Sequence, residues 1–266
     1  MALKIQGDTV VDYGGGDLDT NIALGKSALT NNTTGVNNTA VGVQALTANT
    51  TGNANIAVGS NALLNNTTGI NNTAVGLSAL YANTIGYNNT AVGLNAGLNI
   101  TNGIQNTAVG QSAGSNITTG DNNTCLGYNA EPPAAGTSNS FTLGNGAVSN
   151  LRCNDTSISS LSDARDKTNI EDIPYGLDFI NALRPVKFDW NRRDGTFKNR
   201  KDLGFIAQEL DEVEEQFNSH DYTRLVHKEN PDKWEADPMK TYPILIKAIQ
   251  ELSAEVERLK GLVESK

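Results

Sequence analysis

The sequence predicts a mainly β shaft followed by a small α+β domain that ends in a coiled-coil helix. A seventeen-residue repeat, a heptad pattern at the C-terminus and a change in charge content near residues 150–162 carry this prediction. Residues 1–161 hold ten charged side chains, and the rest of the chain holds 39 of the 49 in total. Such a step in composition marks two physically different modules.

The repeat is defined by glycines, and each unit reads roughly N-T-A-V-G-x-x-A-L-x-x-N-T-T-G-x-x. Two glycines and several Asn and β-branched residues per unit oppose a helix, whereas the short runs between glycines favour strands. A period of this length predicts a parallel β-solenoid or β-roll, with equivalent residues stacked about 4.8 Å apart. The first glycine series comprises Gly25, Gly42, Gly59, Gly76, Gly93, Gly110, Gly127 and Gly144.

Stacking at this period predicts a column of Ala, a neighbouring column of Val and a ladder of hydrogen-bonded Asn. Each coil offers only about four apolar side chains, mostly Ala, Val and Leu, which is a thin core for a free-standing solenoid. We therefore expect three chains to share one axis as a homotrimer. Glu131-Pro132-Pro133 interrupts the seventh unit, and Phe141–Gly144 resembles a last rung, so we expect the regular stack to end at these prolines.

The charged half carries helix and strand periodicities. A helix is predicted after Pro174, a half-buried strand over Val186–Trp190, a turn at Asp194-Gly195 and an amphipathic helix over Leu203–Phe217. Near the C-terminus, apolar residues spaced alternately by four and three residues predict a short parallel coiled coil over 243–264. A single amphipathic helix packed on its own domain is the alternative. The heptad residues are Leu245, Ile249, Leu252, Val256, Leu259 and Val263.

Composition excludes several functions. A net charge of −9 without a basic stripe argues against nucleic acid as a partner. No apolar run is long enough for membrane insertion, and the first residues lack the order of a signal peptide. Cys125 and Cys153 have no metal-ligand spacing, so we predict neither a metal nor a cofactor. Residues 21–150 contain only Asp121 and Glu131 as acids, which argues against a glycosidase site in the shaft.

The predicted domain organisation follows these boundaries. Residues 1–20 form an N-terminal connector, 21–150 the trimeric β-repeat shaft, 151–162 a junction, and 163–266 a C-terminal domain that includes the coiled coil.

Four segments in order resemble the endosialidase-type intramolecular chaperone found at the C-terminus of phage tailspikes and tail fibres. Together they span residues 162–252. Asp166 departs from the pattern, because the family more often has Leu before the Lys. The four segments are S-D-A-R-D-K-T-N-I at 162–170, L-R-P-V-K-F-D-W at 183–190, L-G-F-I-A-Q-E-L at 203–210 and L-I-K-A-I-Q-E-L at 245–252.

The resemblance implies that residues 163–266 are a chaperone domain that trimerises and helps the preceding β-structure to fold. It also implies that the junction 151–162 holds a cleavage site, where the domain releases itself by one autoproteolytic cut at Ser162-Asp163. Ser162 would be the reactive residue and Lys167 its base, as in a Ser/Lys serine peptidase without turnover. A lysine can act as a base only as the neutral amine, which requires burial or nearby cations such as Arg165. Without the family context, the two residues would be a solvated linker.

These observations predict the distal fragment of a viral tail fibre or tailspike that mediates host attachment. We expect it in the virion, and in the host cytoplasm during assembly. Its expected partners are a host cell-surface receptor, with a glycan as one candidate, and other virion tail proteins bound through the N-terminus. The alternatives are a trimeric bacterial surface adhesin, an ice-binding β-solenoid, and a C-terminal domain that acts as a non-cleaving trimerisation cap.

Overall fold

The computed structural model describes residues 3–5, 8–11, 20–148, 162–193, 198–232 and 234–265. The chain divides into two compact units, Met1–Ser149 and Asn150–Lys266. Most of the predicted connector 1–20, and the junction 151–162 apart from Ser162, lie outside the described residues. The predicted domain boundaries therefore stay predictions.

The first unit contains a short antiparallel pair, β1 (Leu3–Ile5) and β2 (Asp8–Val11), followed by a parallel β-solenoid. Eight three-residue strands pair in sequence order, and each residue lies beside its equivalent seventeen positions later. The predicted β-solenoid with a seventeen-residue period is confirmed. Its strands are β3 (Ile22–Leu24), β4 (Thr39–Val41), β5 (Ile56–Val58), β6 (Thr73–Val75), β7 (Thr90–Val92), β8 (Thr107–Val109), β9 (Thr124–Leu126) and β10 (Phe141–Leu143).

Each strand points its middle residue inwards and its two outer residues outwards, because successive side chains alternate across a strand. In the T-A-V strands the Ala is buried, as at Ala57 and Ala74, which have no exposed surface. The Val column faces outwards instead of into the core: Val92 and Val109 are 37% and 38% exposed. The expectation that Val fills the core is wrong, since a three-residue strand places only one side chain inside.

Beside this Ala column, the solenoid interior holds a second Ala column, a Leu column and buried Asn. Asn72 represents the ladder that runs from Asn21 to Asn123. Its side-chain amide donates to the Gly86 carbonyl at 2.8 Å and to Asn55 Oδ1 at 3.2 Å, and its Oδ1 accepts the Asn89 N–H at 3.0 Å. The buried amides are therefore satisfied by neighbouring rungs, as the stacked Asn column predicted.

The first glycine series is fixed by the spacing between rungs. Gly59 has a φ of +138°, a conformation that L side chains rarely adopt. A Cβ on Gly59 would lie 2.3 Å from the carbonyl oxygen of Gly76 on the next rung. Glycine recurs every seventeen residues because the backbones of successive turns meet there.

Two interior positions, three residues apart, change together between rungs. Four rungs place Leu and Asn three residues apart, as at Leu80 and Asn83, whereas the next two use Gly and Ile, as at Gly97 and Ile100. A Cβ on Gly97 would lie 3.1 Å from Cδ1 of Ile100, so the smaller residue makes room for the larger. Hydrogen bonds between side chains join Asn32, Asn49, Asn66 and Asn83 in a second ladder, and the exchange ends it. Asn83 Oδ1 is left without a hydrogen-bond partner among the described residues.

One outward position, two residues after each T-A-V strand, varies along the solenoid. These side chains lie beside the Val column, and all are at least partly exposed. We call this set the variable column. It comprises Lys26, Val43, Ser60, Leu77, Leu94, Gln111 and Tyr128.

The second unit is a small α+β region that ends in a long helix, as predicted. Its core is formed by Phe179, Leu210, Val213, Leu225 and Ile244. Two short 3-10 helices, Ala164–Asp166 and Pro238–Lys240, accompany the main elements. The main elements are α1 (Leu177–Ala182), β11 (Val186–Asn191), β12 (Lys198–Gly204), α2 (Ala207–Gln216), α3 (His220–Thr223), β13 (Val226–His227), β14 (Glu235–Ala236) and α4 (Thr241–Glu264).

One predicted helix begins later than its periodicity indicated. Leu203 lies in β12, is 78% exposed and pairs with Lys187 of β11, and α2 starts only at Ala207. Helical spacing alone assigned Leu203 to the helix, whereas the antiparallel pairing of β11 with β12 places it in a strand. The predicted turn at Asp194-Gly195 lies outside the described residues.

The C-terminal helix α4 presents its heptad residues to solvent. Leu252, Val256 and Leu259 are 46%, 48% and 47% exposed, and Ile249 and Val263 are more exposed still. Around this apolar seam, ion pairs join Glu255 to Arg258 and Glu257 to Lys260 within the helix. Among the described helices, none combines the length and apolar character needed to cross a bilayer.

Candidate self-cleavage site

The predicted site lies at the start of the described part of the second unit. Asp163 caps the short 3-10 helix Ala164–Asp166, because its carboxylate accepts the Arg165 N–H at 2.9 Å. The turn closes when the Lys167 N–H donates to the Ala164 carbonyl at 3.2 Å. Five residues of sequence are thereby folded back on themselves.

This turn brings the two predicted site residues together. Lys167 Nζ lies 2.6 Å from Ser162 Oγ, which is hydrogen-bond distance. Both side chains are exposed, so the single chain supplies no burial for the lysine. An ammonium in this position donates to the hydroxyl, whereas a general base must accept the hydroxyl proton. The single chain therefore has the contact that the chemistry requires but not the environment.

Arg165 makes a different contact from the one expected. Its guanidinium binds the Asp163 carboxylate through two nitrogens, with Nε 3.0 Å from Oδ1 and Nη2 2.6 Å from Oδ2. The hydrogen bonds from Arg165 lower the pKa of Asp163, and the carboxylate raises the pKa of Arg165. Both side chains are largely exposed, so the pair fixes the turn more than it adds stability.

The capping role of Asp163 was missed by sequence reasoning, which gave this residue only as one side of the cleaved bond. An Asp placed before a short polar stretch is a recognisable cap signal. A polar cluster around α2 and α3, formed by Asp211, Glu214, His220 and Lys228, was also missed. Its residues come from separate elements, and no single motif joins them.

The family model described as chaperone of endosialidase matches residues 162–221. The match begins at the predicted reactive serine and confirms the resemblance drawn from the motifs, although the last motif, 245–252, lies beyond it. Comparison with curated proteins and with solved structures found no significant match. This family implies a self-cleaving peptidase domain, while the catalytic roles of Ser162 and Lys167 stay a prediction.

Proposed function

From the endosialidase-type chaperone domain in residues 162–221 and the β-solenoid before it, we propose that this chain is the distal part of a viral tail fibre or tailspike. The C-terminal unit assembles three chains, sets the register of their shafts and then cuts itself off at Ser162-Asp163. The family match carries this proposal. The mature shaft serves host attachment in the virion, binding a cell-surface receptor distally and other tail proteins through its N-terminus.

Trimer formation is supported by apolar surface that a single chain leaves uncovered. The heptad seam of α4 is bare along its length, and a parallel three-stranded coiled coil would cover it. On the solenoid, the outward Val column forms a second uncovered apolar stripe, with Val92 and Val109 37% and 38% exposed. Burial of such surface in neighbouring chains is favourable at about 25 cal/mol per Å².

The chaperone role follows from the topology of the shaft. Parallel strands joined by seventeen-residue turns fold slowly, and identical repeats can pair one unit out of register. A clamp at the C-terminal end would align the three chains before their solenoids close. Once they have closed, slow unfolding would keep the shaft intact without the clamp.

The proposed cleavage runs between chains. Attack by Ser162 Oγ on its own carbonyl carbon would close a strained four-membered ring. In the trimer, Lys167 as the neutral amine takes the Ser162 proton, and the oxygen attacks the Ser162 carbonyl carbon of a neighbouring chain. The bond to the Asp163 nitrogen breaks, that nitrogen takes the proton, and water hydrolyses the resulting ester. The net reaction consumes one water.

Because Lys167 is exposed in a single chain, cleavage in this scheme depends on assembly of the trimer. The amine becomes a base only where neighbouring chains bury it or bring cations near it. Cleavage would then wait for assembly, and the cut would report a completed trimer.

Intact-mass measurement and electrophoresis of unboiled samples test the proposal. We expect fragments of 162 and 104 residues from the unmodified chain. Ser162→Ala and Lys167→Arg should leave a full-length trimer, because arginine keeps the positive charge but does not act as a base. Ser160→Ala, two residues away, is the matched control and should be cut normally. A full-length, monomeric unmodified protein would refute both the cleavage and the assembly.

Mixed trimers separate attack between chains from attack within a chain. Tagged Ser162→Ala chains are co-expressed with untagged unmodified chains. Between-chain attack predicts that tagged chains are cut in mixed trimers, since their carbonyl is intact. Cutting confined to untagged chains would overturn that part of the scheme and leave the family assignment standing.

A further inference from the structure

A buried polar cluster lies where α2 meets α3. Asp211 and Glu214 stand three residues apart on α2 and therefore share one face of the helix. Both are buried, and His220, the first residue of α3, approaches them from the solvent side. One potential ligand atom from each of the three side chains lies within 4.8 Å of the other two.

Glu214 supplies the observation that points to a ligand. The residue has no exposed surface. Its Oε1 accepts two hydrogen bonds, from Thr223 Oγ1 at 2.5 Å and from the Leu225 N–H at 2.7 Å. Its Oε2 is buried and has no hydrogen-bond partner among the described residues. A buried carboxylate oxygen without a donor is unfavourable, and a bound cation would remove that cost.

A cation already stands at one side of the cluster. The Lys228 ammonium forms an ion pair with Asp211, whose Oδ1 also lies 3.2 Å from His220 Nε2. Burial raises the pKa of Asp211, but hydrogen bonds from Lys228 and His220 outweigh it and lower the pKa overall. Lys228 Nζ also lies 5.0 Å from the centre of the Trp234 ring. The Trp234 ring offers the Lys228 ammonium a cation–π interaction when a metal ion displaces it from Asp211.

We propose that Asp211, Glu214 and His220 form a binding site for a divalent transition metal ion, and that Lys228 competes with this ion for Asp211. One imidazole nitrogen and two carboxylate oxygens suit a borderline ion such as Zn²⁺, whereas Ca²⁺ and Mg²⁺ prefer oxygen ligands alone. Ligand atoms around tetrahedral zinc lie about 3.3 Å apart, given bonds of about 2.0 Å. The three groups must therefore close inwards, and the half-exposed His220 side chain has room to do so.

Zinc binding by the tag-free Ser162→Ala chain tests this site. That background keeps both units in one polypeptide, so the result does not depend on cleavage. After equilibration with ZnCl₂ and dialysis, we expect one zinc per chain by elemental analysis. His220→Gln should lose it, and His227→Gln is the matched control, because it removes the chain's other histidine and should retain the metal.

Lys228→Met distinguishes a metal site from a self-contained ion-pair network. Removing the competing ammonium should tighten zinc binding roughly tenfold. Co²⁺ gives a second readout, a visible absorption band expected in the parent and in Lys228→Met but not in His220→Gln. Equal zinc content in the parent and His220→Gln would overturn the proposal. So would the absence of zinc from both the parent and Lys228→Met, which would make Lys228 the cluster's permanent cation.

Discussion

Replacing Asn72 with Ala should loosen the solenoid locally by removing one step of its interior ladder. The change deletes the two hydrogen bonds that the side-chain amide donates, to Gly86 and to Asn55. It also removes the acceptor of the Asn89 N–H. The Gly86 carbonyl keeps a second donor, Asn83 Nδ2 at 3.1 Å, so the Asn89 N–H is the group left unpaired.

The expected cost follows from these contacts. A buried N–H without a partner costs about 1–3 kcal/mol, and each lost hydrogen bond contributes about 0.5–1.5 kcal/mol. The total is about 3 kcal/mol, since relaxation of the neighbouring rungs recovers part of it. In a stacked array this loss falls on the altered rung and its neighbours. A change of about 3 kcal/mol corresponds to more than about a hundredfold in the local opening equilibrium.

Native-state hydrogen exchange, read by mass spectrometry on peptides covering 66–92, measures that equilibrium. We expect exchange in Asn72→Ala to be faster by about two orders of magnitude in these peptides and unchanged in α2. Asn65→Ala is the matched control, because the Asn65 side chain is partly exposed and makes no hydrogen bond to the described residues. Equal exchange in the two variants would refute the assignment of ladder energy to the buried amides.

Two further predictions use other features of the shaft. Gly59→Ala should prevent the solenoid from closing or lower its folding stability by more than about 3 kcal/mol, since it combines a strained φ with a backbone clash. At Gly261 an added Cβ meets nothing within 4 Å, so Gly261→Ala should instead stabilise α4 by up to about 1 kcal/mol. Equal thermal stability of these variants would contradict the stacking argument. Burial, followed by the charge of Glu131, raises the pKa of Cys125 to about 11. Less than about 1% of this thiol is ionised at pH 8, so peptide-resolved alkylation should be at least about a hundredfold slower in the folded protein than in denaturant. Equal rates would show that the thiol is not protected by the fold.

The repeat was predictable because its glycines mark places where two backbones meet, and only the sequence period is needed to find them. The orientation of the Val column was not. Ala and Val are both apolar, and a three-residue strand hides only one of them. Leu203 was assigned to a helix for a related reason. Helical spacing carries no information about the antiparallel pairing that places this residue in a strand beside β11.

The candidate cleavage site was located by resemblance, and its geometry came from a detail that the motifs do not express. Asp163 as a cap bends the chain so that Lys167 returns to Ser162. The α2–α3 cluster could not be predicted, because the contact between His220 and Asp211 depends on how α3 follows α2. Such contacts are set by packing, and a linear spacing does not encode them.

The variable column separates what the shaft must keep from what it is free to change. Seven successive rungs carry six different side chains there, from Lys26 to Tyr128, while the Gly, Ala and Asn positions that lock the stack hardly alter. An outward side chain can therefore be replaced on one rung of the solenoid without rebuilding its interior. The surface chemistry of the solenoid can vary along its length while the packing inside stays the same.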